Sequence, residues 1–245
     1  MAEHVTGKLY FQPLAMTDSA ATPQPHRYND AEIAAVYRAI FERRDMRHFV
    51  PGELPEGLLD RLVEAAHHAP SVGYMQPWRF LRIRDAGLRR QLHAIVEVER
   101  HAMAKVMPSR DQEFMQLKVE GILDCAEVLV VALMDGRDPH LFGRRTLPEM
   151  DLASVACAIQ NMWLAARAEG IGLGWVSIFA PDSLAELLAM PAGAKPVAIL
   201  CLGPVADFPA KPLLETSHWG QRLPLDQVLF ENAWPADAKP TPTAY

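Results

Sequence analysis

The chain has 245 residues, 50% of them hydrophobic, which is enough for one domain with a substantial core but too little for two. A net charge of −6, from 24 basic and 30 acidic residues, argues against general nucleic-acid binding, which needs clustered cations to neutralise phosphates. No apolar run reaches the roughly 18 residues of a membrane span, and the N-terminus lacks the order of a secretory signal, so we expect a cytoplasmic protein outside the membrane.

In chain order, residues 1–27 carry several prolines and little periodicity, which predicts a flexible N-terminal segment. From Asp30, apolar residues recur at intervals of three and four, as in a helix. A second helix is predicted to begin near Pro55 and to stop before Pro70. The pattern then predicts a strand at 78–85, a charged helical stretch at 86–122, a buried strand at 125–135, a helix at 149–169, strands at 172–179 and 195–203, and a short helix between those two strands.

The predicted helix at 149–169 is the most apolar of the chain. A helix that is apolar around most of its circumference is central either to the core or to a dimer. Beyond residue 204 the chain is rich in proline but keeps apolar anchors such as Trp219 and Trp234, which suits an arm on a surface, such as that of a partner subunit. Helices and strands mix without strict alternation, so we predict one α+β domain at 28–234. The stretch of this domain beyond residue 204 is called the tail below, and a separate C-terminal end at 235–245 follows it.

The three cysteines, Cys125, Cys157 and Cys201, lie among apolar residues and form no CxxC pair. An odd, scattered set argues against a disulfide framework and against a zinc site, so we expect reduced core cysteines. The nine histidines are also scattered, and we expect no metal site.

A basic cluster follows the first predicted helix, with Arg43, Arg44 and Arg47 inside five residues. Guanidinium groups are planar, charge-assisted donors, so the cluster is a candidate phosphate site. A solvated helix end, where cations offset the helix dipole, is the alternative. Asp45 lies between these arginines, and nearby cations should keep its carboxylate ionised at neutral pH.

A loop punctuated by Gly and Pro joins the second predicted helix to the first strand. The hydroxyl of Ser71 and the amide of Gln76 are neutral hydrogen-bonding groups that suit the edge of a heteroaromatic ring. An ordinary connection between a helix and a strand is the alternative.

The spaced glycines at 170, 172 and 174 resemble a dinucleotide-binding fingerprint only at first sight. That motif follows a strand and opens a helix, whereas here a helix precedes and a strand follows. We expect these glycines to end the helix and to let the backbone approach a flat ligand. Ser177 is predicted inside the strand, where its hydroxyl needs either a backbone partner or a ligand.

In their order along the chain, these clusters resemble nitroreductase-like flavoproteins, from about residue 30 to 234. Ordinary members usually have a small residue in place of Asp45, and an Asn where this chain has Tyr74-Met75. These departures indicate the flavin-destructase group of that family. The residues that carry this resemblance are Arg43-Arg44-Asp45-x-Arg47, Ser71-Val72-Gly73-x-x-Gln76-Pro77-Trp78-Arg79-Phe80, Leu117-Lys118-x-Glu120-Gly121-Ile122, Gly174-Trp175-Val176-Ser177 and His218-Trp219…Arg222-x-Pro224-Leu225.

The resemblance implies a nitroreductase-like fold, with a mixed sheet flanked by helices, in an intertwined homodimer that binds FMN at the subunit interface. We expect the helix at 149–169 and the tail to contribute to that interface. The family pattern implies that Asp45 and Ser177 are catalytic. The implied FMN-binding residues are Arg43, Arg44, Asp45, Met46, Arg47, Ser71, Gln76, Leu117, Gly174, Trp175, Ser177 and Arg222.

The implied reaction consumes the flavin. Reduced FMN, supplied by a separate flavin reductase, reacts with molecular oxygen. Cleavage of its ribityl chain then gives 5,6-dimethylbenzimidazole, the lower ligand of vitamin B12, and erythrose 4-phosphate. Two alternatives stay open, namely an NAD(P)H-dependent nitroreductase or flavin reductase that keeps its FMN, and a non-catalytic FMN-binding protein. Asp45 and Ser177 favour the first reading over the reductase but do not exclude the binding protein.

Overall fold

The computed structural model describes residues 26–107 and 109–235. The segment predicted to be flexible, 1–27, and the predicted C-terminal end, 235–245, therefore lie almost entirely outside the described residues. The chain divides into two units after Val36. In the first unit, the backbone N–H groups of Asn29 and Glu32 each donate to the other residue's side chain at 3.0 Å, a reciprocal cap that begins the first helix.

The second unit contains the end of that helix and all remaining elements. The predicted α+β class is confirmed, but the helical stretch predicted for 86–122 is broken into two helices. The elements are α1 (Asp30–Glu42), α2 (Leu58–His67), β1 (Trp78–Ile83), α3 (Ala86–Val106), α4 (Asp111–Gln116), β2 (Glu127–Leu133), α5 (Met150–Ala168), β3 (Gly172–Val176), α6 (Pro181–Leu187), β4 (Lys195–Gly203) and α7 (Leu213–Thr216).

The four strands form one sheet in the order β1-β2-β4-β3, and each neighbouring pair is antiparallel. The parallel part of the predicted mixed sheet is a single bridge between Asp45 and Leu173 of β3. This bridge matters because it attaches the arginine cluster to the edge of the sheet.

Side chains from the two faces of the sheet enter different core clusters. Leu200 of β4 packs in a cluster with α2 and α5, whereas its neighbour Ile199 packs in a cluster with α3 and α6. This follows from the alternation of side chains along a strand. The molecule is therefore layered, with α2 and α5 on one face of the sheet and α3 and α6 on the other.

Helix α5 is central to the core, in agreement with its apolar sequence, and Ile159 and Met162 are fully buried. Its opposite side is exposed in a single chain at Leu152 and Cys157. The prediction of three core cysteines is therefore wrong for Cys157, although Cys125 and Cys201 are buried and all three are free. No helix in the described ranges has both the length and the hydropathy needed to cross a bilayer.

Candidate functional site

The arginine cluster is held in place by a backbone contact with β3. The N–H of Met46 donates to the carbonyl of Leu173 at 3.0 Å. A Cβ on Gly174 would collide with the carbonyl oxygen of Met46, so only glycine allows this approach. The close contact that Gly174 permits is thus with the chain itself, and a contact of Gly174 with a flat ligand stays a prediction. Gly170 ends α5 with φ +74°, as expected for a helix-terminating glycine.

Asp45 is held through both of its carboxylate oxygens. Its Oδ1 accepts the backbone N–H of Trp175 at 2.9 Å, and its Oδ2 accepts from Nη2 of Arg47 at 2.7 Å. Nη1 of Arg47 donates to the carbonyl of Lys118 at 3.3 Å. One direct partner of Asp45 is thus an arginine of the cluster, and the other is the backbone of β3, which the sequence did not indicate.

Arg44 donates to backbone carbonyls rather than facing solvent. Its guanidinium donates to Phe41 at 2.8 Å, Arg43 at 2.7 Å and Pro209 at 2.8 Å, and it also donates to Ala210. A guanidinium has five N–H donors, so these four bonds leave one. Arg44 therefore ties the chain at 209–210 to the end of α1, and its predicted binding of phosphate stays a prediction.

Arg43 and Arg222 define a cavity of about 720 Å³, here called the cationic cavity. Asp45, Arg47 and Lys211 are among its other lining residues. Burial lowers the pKa of the Arg43 guanidinium, Asp45 opposes this, and the charge of Arg222 lowers the pKa further. Two cations that repel each other across a cavity favour an anion between them.

The indole of Trp163 packs against Arg43, which lines this cavity. The guanidinium carbon of Arg43 lies 4.4 Å from its ring centroid, and its Nε1–H donates to the carbonyl of Arg44 at 3.1 Å. Trp163 was predicted only as a core residue, and no local pattern indicated its contact with the cluster.

A second cavity of about 510 Å³ adjoins the first and is here called the apolar cavity. Its floor is β3 and the residues after it, including Trp175 and Ser177. The ends of α3 and α4 supply one wall, and the tail supplies another. The apolar residues that line it are Met103, Val106, Met107, Phe114, Leu117, Val119, Trp175, Val176, Ile178, Leu214 and Trp219.

Ser177 lines the apolar cavity. The prediction that it lies inside a strand is wrong. Strand β3 ends at Val176, and Ser177 is exposed. Within the described residues its hydroxyl makes no hydrogen bond, so it is available to a ligand. The sequence argument that a hydroxyl inside a strand needs a partner therefore does not apply, because an exposed hydroxyl can bond to water.

Arg47 and Leu214 line both cavities. Asp45 lines only the cationic cavity, whereas Ser177 lines the apolar cavity and not the cationic one. The two predicted catalytic residues thus line neighbouring cavities, and Asp45 bonds to Trp175, two residues before Ser177. A flat apolar ring joined by a flexible chain to a phosphate matches this arrangement, and so the residues fit FMN.

Four predicted residues line neither cavity, namely Met46, Ser71, Gln76 and Gly174. Met46 is buried at 7% exposure, and Ser71 and Gln76 line neither cavity of the single chain. The hydroxyl of Ser71 accepts the N–H of Gln76 at 3.0 Å, which braces a loop containing two non-glycine residues at positive φ, Tyr74 at 54° and Gln76 at 50°. Such strain persists only where surrounding contacts impose it.

The tail contributes residues that the sequence did not single out for the site. Leu214 of α7 forms part of the shared wall. Trp219 covers the apolar cavity, with the guanidinium carbon of Arg110 at 3.9 Å from its ring centroid and Phe114 at 6.2 Å. The signals in the sequence were large apolar residues in a proline-rich segment and, for Trp219, the motif at 218–225 that carries the family resemblance. Elsewhere in the described residues, no group of three or more His, Cys, Asp or Glu is placed to hold a metal ion.

Comparisons with known proteins place this geometry in a family. The sequence profile of the Nitroreductase family matches residues 40–204. A protein of Rhodospirillum rubrum named 5,6-dimethylbenzimidazole synthase is 39% identical over 191 residues, which cover 76% of this chain and 90% of that protein. A second protein of that name, from Rhodobacter capsulatus, is 38% identical over 188 residues, which cover 75% of this chain and 90% of the relative.

The fold comparison agrees with the sequence comparison. A crystal structure of a BluB-like flavoprotein from Clostridium difficile 630 superposes with a TM-score of 0.62 at 17% identity, over 80% of this chain and 97% of that one. At this identity the likeness concerns the fold alone. Because the family profile spans most of the chain and these relatives are identical at more than a third of the aligned residues, the chain belongs to the nitroreductase family and, within it, to the 5,6-dimethylbenzimidazole synthases.

Proposed function

We propose that this protein fragments reduced FMN with molecular oxygen to 5,6-dimethylbenzimidazole and erythrose 4-phosphate. The observation that carries the proposal is the junction of a cationic and an apolar cavity at Arg47, with the carboxylate of Asp45 beside it. The shared name of the relatives at 38–39% identity supports the same activity.

The cationic cavity suits the phosphate of FMN. Arg43 and Arg222 repel each other across it, and a phosphate between them would relieve that repulsion. Arg43 makes no side-chain hydrogen bond within the described residues, so its donors are available. The apolar cavity suits the flavin ring, since Leu117 and Trp175 offer apolar surface to a flat heterocycle.

Reduced FMN supplies the electrons and the carbon skeleton for the reaction with oxygen. Asp45, held at both carboxylate oxygens, keeps further lone pairs with which to accept a proton from the ribityl chain or to orient one of its hydroxyls. Ser177 offers an unpartnered hydroxyl on the side of the ring. A separate flavin reductase would deliver the reduced FMN.

We further propose that the site is completed in a homodimer. Ser71 and Gln76 line neither cavity of one chain, so their predicted role requires the second subunit. Helix α1 leaves Tyr37 at 54% and Phe41 at 53% exposure, which is unusual for large apolar side chains and marks an interaction surface. Light scattering should give twice the 27.2 kDa of one chain at micromolar concentration, and a mass of one chain would contradict the dimer.

The activity is tested by incubating the purified protein in air with chemically reduced FMN and separating the products by chromatography. We expect 5,6-dimethylbenzimidazole and erythrose 4-phosphate in equal amounts, and no benzimidazole product without oxygen. Heat-inactivated protein is the control for spontaneous flavin breakdown. No product alongside rapid NAD(P)H oxidation would assign the protein to the nitroreductases, and FMN binding without either activity would make it a binding protein.

A further inference from the structure

Arg47 occupies a different position from the other arginines of its cluster. Among the described residues it is the one charged side chain that lines both the cationic and the apolar cavity. Its side chain is only 14% exposed. Arg47, together with Leu214, therefore lies where the two cavities meet.

Two of the five N–H donors of Arg47 bond to the protein. Nη2 pairs with Asp45 at 2.7 Å, and Nη1 donates to the carbonyl of Lys118 at 3.3 Å. Its Nε is buried and has no hydrogen-bond partner in the described structure. The two hydrogen bonds that Arg47 makes are therefore both to the chain itself.

We propose that Arg47 is a positioning residue that fixes the carboxylate of Asp45 at the junction of the two cavities, and that it is not a phosphate ligand. The inference rests on the proposed function. Asp45 is held at Oδ1 by the N–H of Trp175 and at Oδ2 by Arg47, so its carboxylate plane is set by two bonds. Without Arg47 a single bond remains, and the carboxylate turns about its terminal torsion, which is intrinsically broad.

The carbonyl of Lys118 gives the arrangement its second anchor. It holds the guanidinium from the loop after α4, so the orientation of Arg47 does not depend on Asp45 alone. The ion pair is largely shielded from solvent, with side-chain exposures of 14% for Arg47 and 31% for Asp45. Shielding of this degree strengthens the pair relative to a surface ion pair.

The test is a double-mutant cycle with Arg47→Gln, Asp45→Asn and the double variant. The turnover number is measured from benzimidazole product formed in air, and the affinity for oxidised FMN is measured by fluorescence quenching. We expect Arg47→Gln to lower turnover roughly 10- to 100-fold, with a much smaller change in FMN affinity. In the Asp45→Asn background, the same substitution should change turnover by less than about twofold, because residues that act as a pair are not additive.

Arg61→Gln is the matched control, since Arg61 forms an exposed ion pair with Glu169 at 3.3 Å and should leave turnover unchanged. Arg47→Lys keeps the charge and should recover part of the loss. If thermal unfolding shows that Arg47→Gln does not fold, Arg47→Met takes its place in the cycle, because methionine has no N–H donor for Asp45.

The outcomes separate the inference from the proposed function. Additive losses in turnover, or a loss mainly in FMN affinity, would overturn the positioning role and make Arg47 a flavin ligand. Wild-type protein that forms no benzimidazole would overturn the proposed function, and the positioning role with it.

Discussion

The two cavities that meet at Arg47 rely on different physical forces. The cationic cavity contains Arg43 and Arg222, whose charges attract an anion but are screened by salt. The apolar cavity is lined by residues such as Phe114 and Trp175. Burial of a ring against them is favoured because it removes apolar surface from water, and this contribution to the binding free energy depends far less on salt. The contrast teaches that FMN affinity should have two separable parts, and the proposed reactive residue, Asp45, lies beside the place where the two cavities meet.

The largest effect is expected at the junction itself. Asp45→Asn preserves size and removes the charge, so FMN should still bind while product formation falls by about 10²–10⁴-fold, the usual cost of losing a general base. Product is measured from reduced FMN in air, with binding followed in parallel. Asp60→Asn, an exposed substitution on α2, is the control. Undiminished product from the Asp45 variant would remove this residue from the mechanism.

The cationic half is tested by Arg43→Ala. Loss of a charged hydrogen bond to phosphate should weaken FMN binding by about 1.5–3 kcal/mol. Riboflavin lacks the phosphate, so its affinity should change little. FMN titrations at low and high salt should show that the difference in affinity between the wild type and the Arg43 variant becomes smaller as salt rises. Equal weakening for FMN and riboflavin would show that Arg43 does not contact the phosphate.

Arg44→Ala should act mainly on stability. The variant loses four donors to backbone carbonyls, including those of Pro209 and Ala210 in the tail. At about 1 kcal/mol net for each pair of such bonds, the free energy of unfolding should fall by about 2 kcal/mol. In a chain of this size, a loss of 1 kcal/mol lowers the melting temperature by about 2–4 °C, so we expect a fall of roughly 4–8 °C. Calorimetry measures this. An unchanged melting temperature with FMN affinity lost would instead assign Arg44 to the phosphate, as the sequence alone predicts.

The apolar half is tested by Leu117→Ala, which should have the smallest effect. Removing part of a half-buried side chain from the cavity wall should weaken FMN and riboflavin alike, by about 1 kcal/mol, and without salt dependence. Leu229→Ala, at an exposed tail position, is the control. A selective effect on FMN would contradict the assignment of the ring to this cavity.

Local patterns were sufficient to predict much of the scaffold. Pro55 and Pro70 correctly bracketed α2, the continuous apolar run predicted β2, and the apolar circumference of α5 predicted its central place. The basic cluster was also placed correctly at the end of α1. These features depend on periodicity and on backbone chemistry, which act over a few residues.

The sequence by itself determined the α+β class, the order of the strands and of the larger helices, and the residue types at the site. Only the tertiary structure decided which arginines are free, because Arg44 meets Pro209 across 165 residues and Asp45 meets Trp175 across 130. It likewise exposed Cys157 and Ser177, and it placed Asp45 and Ser177 on two neighbouring cavities. Contacts over such separations leave no periodic trace, since they depend on how whole layers pack rather than on local propensity.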